Sequence, residues 1–425
     1  MKIAVIGTGI AGNVVAYHLA RRHEITVFEA DARVGGHTNT VEVEWQGSSY
    51  PVDTGFIVFN EWTYPNFIAL LDELGVGWQD SDMSFSVQCR HHHLEYNGAS
   101  LNTLFAQRRN LLRPSFHRMV RDILRFNREA TELLRPGAPD CSLEDYLHGK
   151  GYSREFRDHY VLPMGAAIWS AKPDGFGRVP ARFFVRFFHN HGMLSVNERP
   201  TWRVIRGGSA RYVEKLVAGH RERIRLSSPV QRIRRCADHV EVRAAHQAPE
   251  RFDQVFIATH SDQALAMLAD PSELERRTLG AIGYQHNEAV LHTDASLMPR
   301  RRRAWAAWNY HIPRRRQRRV AVTYNMNILQ GLKAPAQFCV TLNRREAIDP
   351  DRIIARFDYA HPVFTPEAVA AQRRQRDLNG VNRTYYCGAY WRYGFHEDGV
   401  VSALAALEHF TERQEHEQRY FRWAS

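Results

Sequence analysis

The sequence predicts an α/β chain in which a parallel-sheet domain is assembled from separated segments, with a discontinuous α+β domain built from the segments between them. Three observations carry this reading. The first is the opening, where Ile3-Ala4-Val5-Ile6 runs into Gly7-Thr8-Gly9-Ile10-Ala11-Gly12, then a helix from Asn13 to Ala20, then Ile25-Thr26-Val27-Phe28 ending on Glu29. The second is the return of short strands late in the chain, at Ile224–Leu226, Val230–Ile233, Val240–Val242, Asp253–Thr259 and Thr384–Gly388. The third is length: 425 residues exceed what one hydrophobic core usually serves, so two domains are expected.

Each part of the opening has a mechanical role in holding a dinucleotide, and the order strand, tight turn, helix, strand makes this a Rossmann-like element. Gly7 permits the turn, Gly9 lets the backbone approach a pyrophosphate, and Gly12 lets the helix pack on the sheet. Ile10 and Ala11 open the helix, whose unpaired N–H groups and positive dipole end suit phosphates. Glu29, 22 positions after Gly7, can accept hydrogen bonds from both ribose hydroxyls of an adenosine. A nicotinamide enzyme has no reason to place a double glycine directly after that strand, yet Ala30-Asp31-Ala32-Arg33-Val34-Gly35-Gly36-His37-Thr38 follows here.

With that segment the chain resembles the flavin amine oxidase and carotenoid desaturase superfamily, whose second strand continues into R-x-G-G-R beside the FAD pyrophosphate. His37 stands where that family usually has Arg, so its charge at neutral pH is not fixed. Asp53-Thr54-Gly55-Phe56-Ile57 resembles the D-x-G segment that passes under the flavin ring. The resemblance implies non-covalent FAD in a GR2-type domain with an amine-oxidase-like architecture. It extends the implied cofactor contacts to Ala30, Gly35, Gly36, His37, Thr38, Gly55, Phe56 and Ile57. Val230, in an S-P-V step, would present its backbone to adenine, and Ala258 would close the returning strand. Residues 1–75, 205–265 and 380–425 then form the FAD-binding domain, and 76–204 and 266–379 the substrate or membrane-facing domain.

The closing segment, Gly388 to Val400, is the other chemically loaded stretch. A helix starting near Gly399 would point N–H groups at the flavin edge where reduction builds negative charge, which implicates Gly388, Asp398, Gly399 and Val400. The family's acidic residue after the matching glycine is Ala389 here. Tyr390, Trp391 and Tyr393 are expected either to wall the ring or to pack a domain interface. His396 or Glu397 could accept a proton, and His191 is a second polar candidate, with a structural hydrogen-bonding role as its alternative.

The five cysteines are odd in number and scattered, with no C-x-x-C, which suits a reducing cytoplasm and argues against a zinc or iron–sulfur site. No apolar stretch reaches the roughly 18 residues a membrane span needs, and Met1-Lys2 leaves no room for a signal peptide. The net charge is +11, and only five of the 57 basic residues are lysine. Arg300–Arg303 and Arg314-Arg315-Arg316, with Arg318 and Arg319, flank Trp305 to Tyr310. The stretch Phe105–Phe126 interleaves arginines with Leu111, Leu112, Phe116 and Met119. Such patterns suit the face of an anionic bilayer, with a merely solvated surface as the alternative. No nucleic-acid module is present, so nucleic acid is not the expected partner. A cytoplasmic protein, peripheral on the inner face of the cell membrane, is expected.

Ser81-Asp82-Met83-Ser84-Phe85-Ser86 and Tyr393-Gly394-Phe395-His396-Glu397-Asp398-Gly399 are specific strings. They resemble bacterial FAD oxidoreductases encoded beside cyclopropane fatty acid synthases, and the flavin domain fused to the plant synthases. The resemblance implies oxidation of a methyl-branched or unsaturated acyl chain of a phospholipid, with a fatty acid methyltransferase as partner. Ile168, Trp169, Phe183, Phe184, Phe187, Phe188 and Met193 would line an acyl tunnel, or else pack a core. The alternatives are an amine oxidase, for which Lys172 is the one candidate for the lysine such enzymes hold near the flavin, and a non-catalytic flavin or lipid-binding partner of the methyltransferase.

Overall fold

The computed structural model describes residues 1–138, 141–314 and 319–424, with side chains described as far as residue 416. Five strands form a parallel sheet in the order Ile224–Arg225, Glu24–Phe28, Lys2–Ile6, Gln254–Ile257, Thr384–Tyr386. Side chains alternate across a strand, and Lys2–Ile6 uses both faces. Ile3 and Val5 join the core under helices Ile10–Leu19, Ala210–Val217 and His396–Ala424, while Ala4 and Ile6 join the opposite core. The second face is covered by the antiparallel strands Val230–Arg235, Val240–Ala244 and Glu250–Phe252, which contribute Ile233, Val240, Val242 and Phe252. A sheet buried on both faces needs nearly continuous apolar strands, and this one has them.

Arg235 locks that arrangement from within. Its guanidinium grips Glu275 through two bonds of 2.7 and 3.0 Å, and the Tyr386 hydroxyl also donates to Glu275. Burial raises the Glu275 carboxyl, but these donors outweigh it and hold the group down to about 2.

A second sheet of seven strands runs in the order Ile353–Val363, Gly283–His292, Cys339–Leu342, Val322–Asn325, Trp308–Ile312, Phe85–Cys89, Leu94–Asn97. The pair Trp308–Ile312 and Phe85–Cys89 is parallel and the other neighbours are antiparallel. The stretch after residue 80 therefore first contributes two strands to a sheet whose remaining members lie more than 180 residues later. Helices follow. Helix Ala181–Asn190 buries Phe183, Phe184, Phe187 and Phe188, the spacing of one helical face, against Trp169, Phe126 and Phe364. Trp169 and Phe187 lie 4.7 Å apart, and the Trp169 indole N–H donates to the Tyr393 carbonyl at 3.0 Å. These aromatics are packed as a core here, each ring contributing about 1.5–3 kcal/mol through burial.

Helix Ala210–Val217 is followed by a tighter turn, Ala218–Arg223, and the C-terminal helix starts at His396 and not, as expected, near Gly399. Among the described residues no helix is long and apolar enough to cross a membrane.

Candidate functional site

The glycine turn sits at the C-terminal edge of the parallel sheet, where open α/β sheets bind ligands. Gly7 has φ +99, and its N–H donates to the Phe28 carbonyl at 2.8 Å. A side chain on Gly12 would run into the Gly7 carbonyl oxygen and meet Ala258 Cβ at 3.1 Å. Gly9 is different: a Cβ there meets nothing within 4 Å. The space over Gly9 is thus open on the side a pyrophosphate would approach. Helix Ile10–Leu19 has no side-chain cap, and its hydrogen-bond ladder begins with Asn13 N–H on Gly9 O, so the Ile10, Ala11 and Gly12 amides are left for an anion.

Glu29 is held ready beside this turn. Oε2 accepts from Thr8 N–H at 2.9 Å and from the Thr8 hydroxyl, and Oε1 accepts from Asp31 N–H at 2.8 Å. Thr8 also receives Gly35 N–H on its carbonyl at 3.1 Å, which ties the double-glycine turn to the first turn. Gly35 (φ +115) and Gly36 (φ +57) both need left-handed backbone, and a Cβ on Gly36 would sit 3.0 Å from Gly9 Cα. Arg33 braces the turn by donating to the Gly36 carbonyl at 2.7 Å and the Thr38 carbonyl at 2.9 Å. Ser228 N–H donates to Glu29 O at 2.7 Å, which brings the S-P-V step and Val230 to the same corner, while Ala30 is exposed.

Asp53-Thr54-Gly55-Phe56-Ile57 lies directly on the His37 segment: Phe56 N–H donates to His37 O at 2.8 Å, and Gly55 leaves no room for a Cβ against the same carbonyl. Asp53 is an organiser of the backbone. It accepts from Thr40 Oγ1 (2.6 Å), Ser209 N–H (2.9 Å), Ser209 Oγ (2.7 Å) and Gln330 Nε2 (2.9 Å), while burial pushes its carboxyl up to about 6. His37 carries no fixed charge. Burial lowers its pKa, and Nε2–H donates to the Ala360 carbonyl at 3.1 Å, so the positive charge of the family's arginine is not replaced at this position.

His37 is one of three neighbouring histidines. Its ring centroid lies 5.7 Å from His260 and 5.5 Å from His361, and burial holds both of those at about 3. Tyr359 packs 5.2 Å from His37 and bonds Thr54 Oγ1 at 2.9 Å and Asn39 Nδ2 at 3.0 Å. His260, His361 and Tyr359 were missed in the sequence; only His260 carried a signal, since it directly follows the returning strand.

The closing segment divides. Gly399 packs against Ile10, and Val400 joins the core with Val14 and Ala403, so the C-terminal helix does reach the glycine turn. Gly388 N–H donates to Ser402 Oγ at 2.8 Å. Ala258 N–H donates to Ile6 O at 2.8 Å beside Gly7. Asp398 accepts Phe395 N–H at 2.9 Å and Tyr393 N–H at 3.2 Å, and burial raises its carboxyl to about 7. Glu397 is a helix cap, accepting Asn66 N–H, Asn66 Nδ2 and Phe67 N–H at the start of helix Pro65–Glu73, and not a free proton acceptor.

The four catalytic candidates are not brought together. His396 stacks on Phe56 at 3.4 Å, and its Nε2 bonds Thr38 Oγ1 and Tyr212 OH, each at 2.9 Å. Burial drives its pKa well down. His191 lies apart, stacked on Phe187 at 3.8 Å and 6.3 Å from Phe395. Its Nδ1 donates to Phe187 O at 2.8 Å, which leaves Nε2 as the acceptor nitrogen of a ring that burial lowers to about 4. Tyr390 and Trp391 correct the expected aromatic wall: both are buried in the opposite core with Phe28, Phe252 and Tyr386. Lys172 N–H pairs with Gln285 Oε1, at the start of a short helix. Among the described residues Cys236, His239 and Glu241 lie close enough to share a cation, but Glu241 is held by Arg234 and His239 by Asp238.

The comparisons with known proteins agree with the cradle. Residues 10–294, more than half of the chain, match the family described as flavin containing amine oxidoreductase. Cyclohexylamine oxidase from Brevibacterium oxydans IH-35A superposes with a TM-score of 0.71 at 15% identity, covering 97% of this chain and 99% of that one. The CLA-producing fatty acid isomerase from P. acnes gives 0.68 at 15% identity, covering 96% and 98%. At these identities the likeness establishes the fold alone. Carotenoid phi-ring synthase of Chlorobaculum tepidum is 39% identical over 83 residues, which is 19% of this chain and 12% of that protein. The open pyrophosphate face, the uncapped amides and the acceptor at Glu29 thus lie in a chain that belongs to the flavin-containing amine oxidoreductases, an FAD-dependent oxidoreductase.

Proposed function

We propose that this enzyme oxidises, by desaturation, a methyl-branched or unsaturated acyl chain of a membrane phospholipid. FAD, when bound, supplies a two-electron acceptor that takes hydride from an activated C–H bond. The observation that carries the reading is how fully the polar groups around the cradle are already engaged. Every buried carboxylate there is already engaged: Glu29 by Thr8 and Asp31, Asp53 by Thr40, Ser209 and Gln330, Glu397 by Asn66 and Phe67, Asp398 by Tyr393 and Phe395. The histidines that join them are held uncharged by burial. An ammonium substrate would have to compete with these donors for a carboxylate, whereas a hydrocarbon needs none.

The chain's own residues would then hold the acyl chain against Phe187, Phe395 and Trp202, around His191. The other hydrogen of the oxidised carbon pair leaves as a proton to His191 Nε2, whose tautomer the Phe187 carbonyl fixes. Lipid access is supported by Leu101, Leu111 and Leu112, which are 77%, 49% and 90% exposed among Arg108, Arg109 and Arg113. Leucines standing free among arginines suit the interface of an anionic bilayer. A fatty acid methyltransferase is the proposed partner that makes the branched substrate, and cytoplasmic placement on the membrane's inner face follows from the same reading. The test is product analysis: the FAD-loaded protein incubated with vesicles bearing branched or unsaturated chains should yield acyl chains lacking two hydrogens. Unaltered chains from every lipid, with amines turned over in their place, would overturn it.

A further inference from the structure

At the far edge of the seven-stranded sheet, away from the glycine turn, a cavity of about 490 Å³ is lined by six arginines and one carboxylate. Arg90, Arg109, Arg300, Arg301 and Arg314 stand exposed around it, and Arg344 is buried, only 8% exposed. The single carboxylate is Glu95. Its capacity is spent within the fold: Oε1 accepts Gln88 Nε2 and Arg300 N–H, each at 3.1 Å, and Oε2 accepts Arg301 N–H and Arg301 Nη1, each at 3.3 Å. Those four bonds use the four acceptor positions of a carboxylate.

Glu95 is also the end of a polarised chain of hydrogen bonds across the sheet. Asp294 N–H donates to His292 Nδ1 (3.0 Å), so His292 Nε2–H donates to Thr341 Oγ1 (2.7 Å). The sequence continues in one direction through Thr323 Oγ1 (2.8 Å), His311 Nε2 (2.9 Å) and Gln88 Oε1 (3.2 Å) to Glu95. With its four acceptor positions taken, Glu95 has nothing left for Arg344 or Arg90. Among the described residues Arg344 has no ion pair; burial, and after it the charge of Arg90, lower its pKa, and Glu346 only partly offsets them. Arg344 thus lines the cavity at 8% exposure with a cationic neighbour and no carboxylate paired to it, so an anion from outside would complete the site.

We propose that this cavity binds a phosphate group, in a phosphomonoester or phosphodiester, with Arg344 at its floor and Arg90 beside it. Planar guanidiniums bind such oxyanions through paired hydrogen bonds, and the volume suits a small phosphorylated group. The assignment rests on the cavity's own charge balance and does not need the acyl-chain reading. Arg109 belongs to the same turn, Arg108–Leu112, that bears the exposed Leu111 and Leu112, so a lipid headgroup and a free phosphate ester are the two sources to separate.

The test is calorimetric titration of the FAD-loaded protein with inorganic phosphate, with sn-glycerol 3-phosphate, and with phosphatidylcholine vesicles containing phosphatidic acid, all at one ionic strength. Arg344→Gln and Arg90→Gln are compared with Arg277→Gln, an exposed arginine on a distant helix. Phosphate binding weakened about tenfold by R344Q or R90Q, the loss of one charge-assisted bond, and unchanged in R277Q supports the site. R90Q, on the exposed rim, keeps the test decisive if R344Q fails to retain flavin. Competition by the vesicles assigns the ligand to a headgroup; competition by glycerol 3-phosphate alone assigns it to a soluble ester. No phosphate binding by the parent protein, equal loss in all three variants, or no loss in either cavity variant overturns the proposal. Lipid oxidation is read separately through the flavin, so loss of this site with oxidation intact removes the cavity assignment alone.

Discussion

Gly9 and Gly12 sit three residues apart in one turn, yet the structure predicts opposite consequences for giving each a side chain. Gly9 has φ −64 and ψ 177, an ordinary extended conformation, and a Cβ there meets nothing within 4 Å. Gly9→Val should therefore leave the apoprotein's stability within about 0.5 kcal/mol of the parent. Its side chain fills the space from which a pyrophosphate reaches the Ile10, Ala11 and Gly12 amides. Losing one or two charge-assisted hydrogen bonds costs about 3 kcal/mol, a little over hundredfold in FAD affinity. Gly12→Ala does the reverse. Its Cβ collides with the Gly7 carbonyl and crowds Ala258 Cβ at 3.1 Å, so the helix must move off the sheet, at about 2–3 kcal/mol of folding stability. The assay pairs urea unfolding of the apoproteins with FAD titration followed by flavin fluorescence. A Gly9→Val protein that binds FAD like the parent, or that unfolds as easily as Gly12→Ala, refutes the division of roles.

Three further outcomes are expected. Asp398 has its folded pKa raised to about 7 from an ordinary 3.8, so its contribution favours the fold below about pH 4 and is lost as pH rises toward 7. Asp398→Asn keeps an acceptor for the Tyr393 and Phe395 N–H groups, so apoprotein stability above pH 7 should rise by up to roughly 4 kcal/mol and match the parent near pH 4; identical unfolding curves at pH 8 would count against it. Arg235→Ala strands Glu275 in a core where both side chains are almost fully buried, at 1% and 4% exposure, and should cost about 3–5 kcal/mol in denaturant unfolding; a loss below 1 kcal/mol would show the pair is not structural. Leu112→Glu, at a side chain 90% exposed, should leave unfolding unchanged but reduce co-sedimentation with anionic vesicles about tenfold, and undiminished co-sedimentation removes this turn from the membrane face.

What the sequence made legible is what local geometry dictates. The glycine turn, Glu29 and the double glycine act within about thirty residues, and each glycine answers a backbone requirement readable from spacing. The parallel strands were legible as apolar runs because both sheet faces are covered. Contacts made by remote segments were not. Thr8 had no role readable from spacing, yet its hydroxyl and N–H fix Glu29. Phe85–Cys89 was hidden because its parallel partner, Trp308–Ile312, lies far along the chain. The C-terminal helix was placed three residues late, and the roles of its first acids depend on remote contacts: Glu397 caps helix Pro65–Glu73 and Asp398 accepts backbone amides. Tyr390 and Trp391 carried aromatic character without direction, and only the sheet decides that they face the opposite core. The arginine bias was visible, but the six-arginine cavity depends on strand order. Arg315, Arg316 and Arg318 of the second cluster lie outside the described residues.

The most direct test of the central claim is anaerobic mixing of the FAD-loaded protein with phospholipid vesicles bearing methyl-branched or unsaturated chains, and separately with monoamines and polyamines. Because the buried carboxylates are engaged and the histidines uncharged, flavin absorbance should bleach with the lipids and persist with the amines. Bleaching by amines and not by lipids contradicts the account and makes the enzyme an amine oxidase. Bleaching by neither, with FAD fully bound, contradicts it too and leaves a flavin protein without oxidase chemistry on either substrate class.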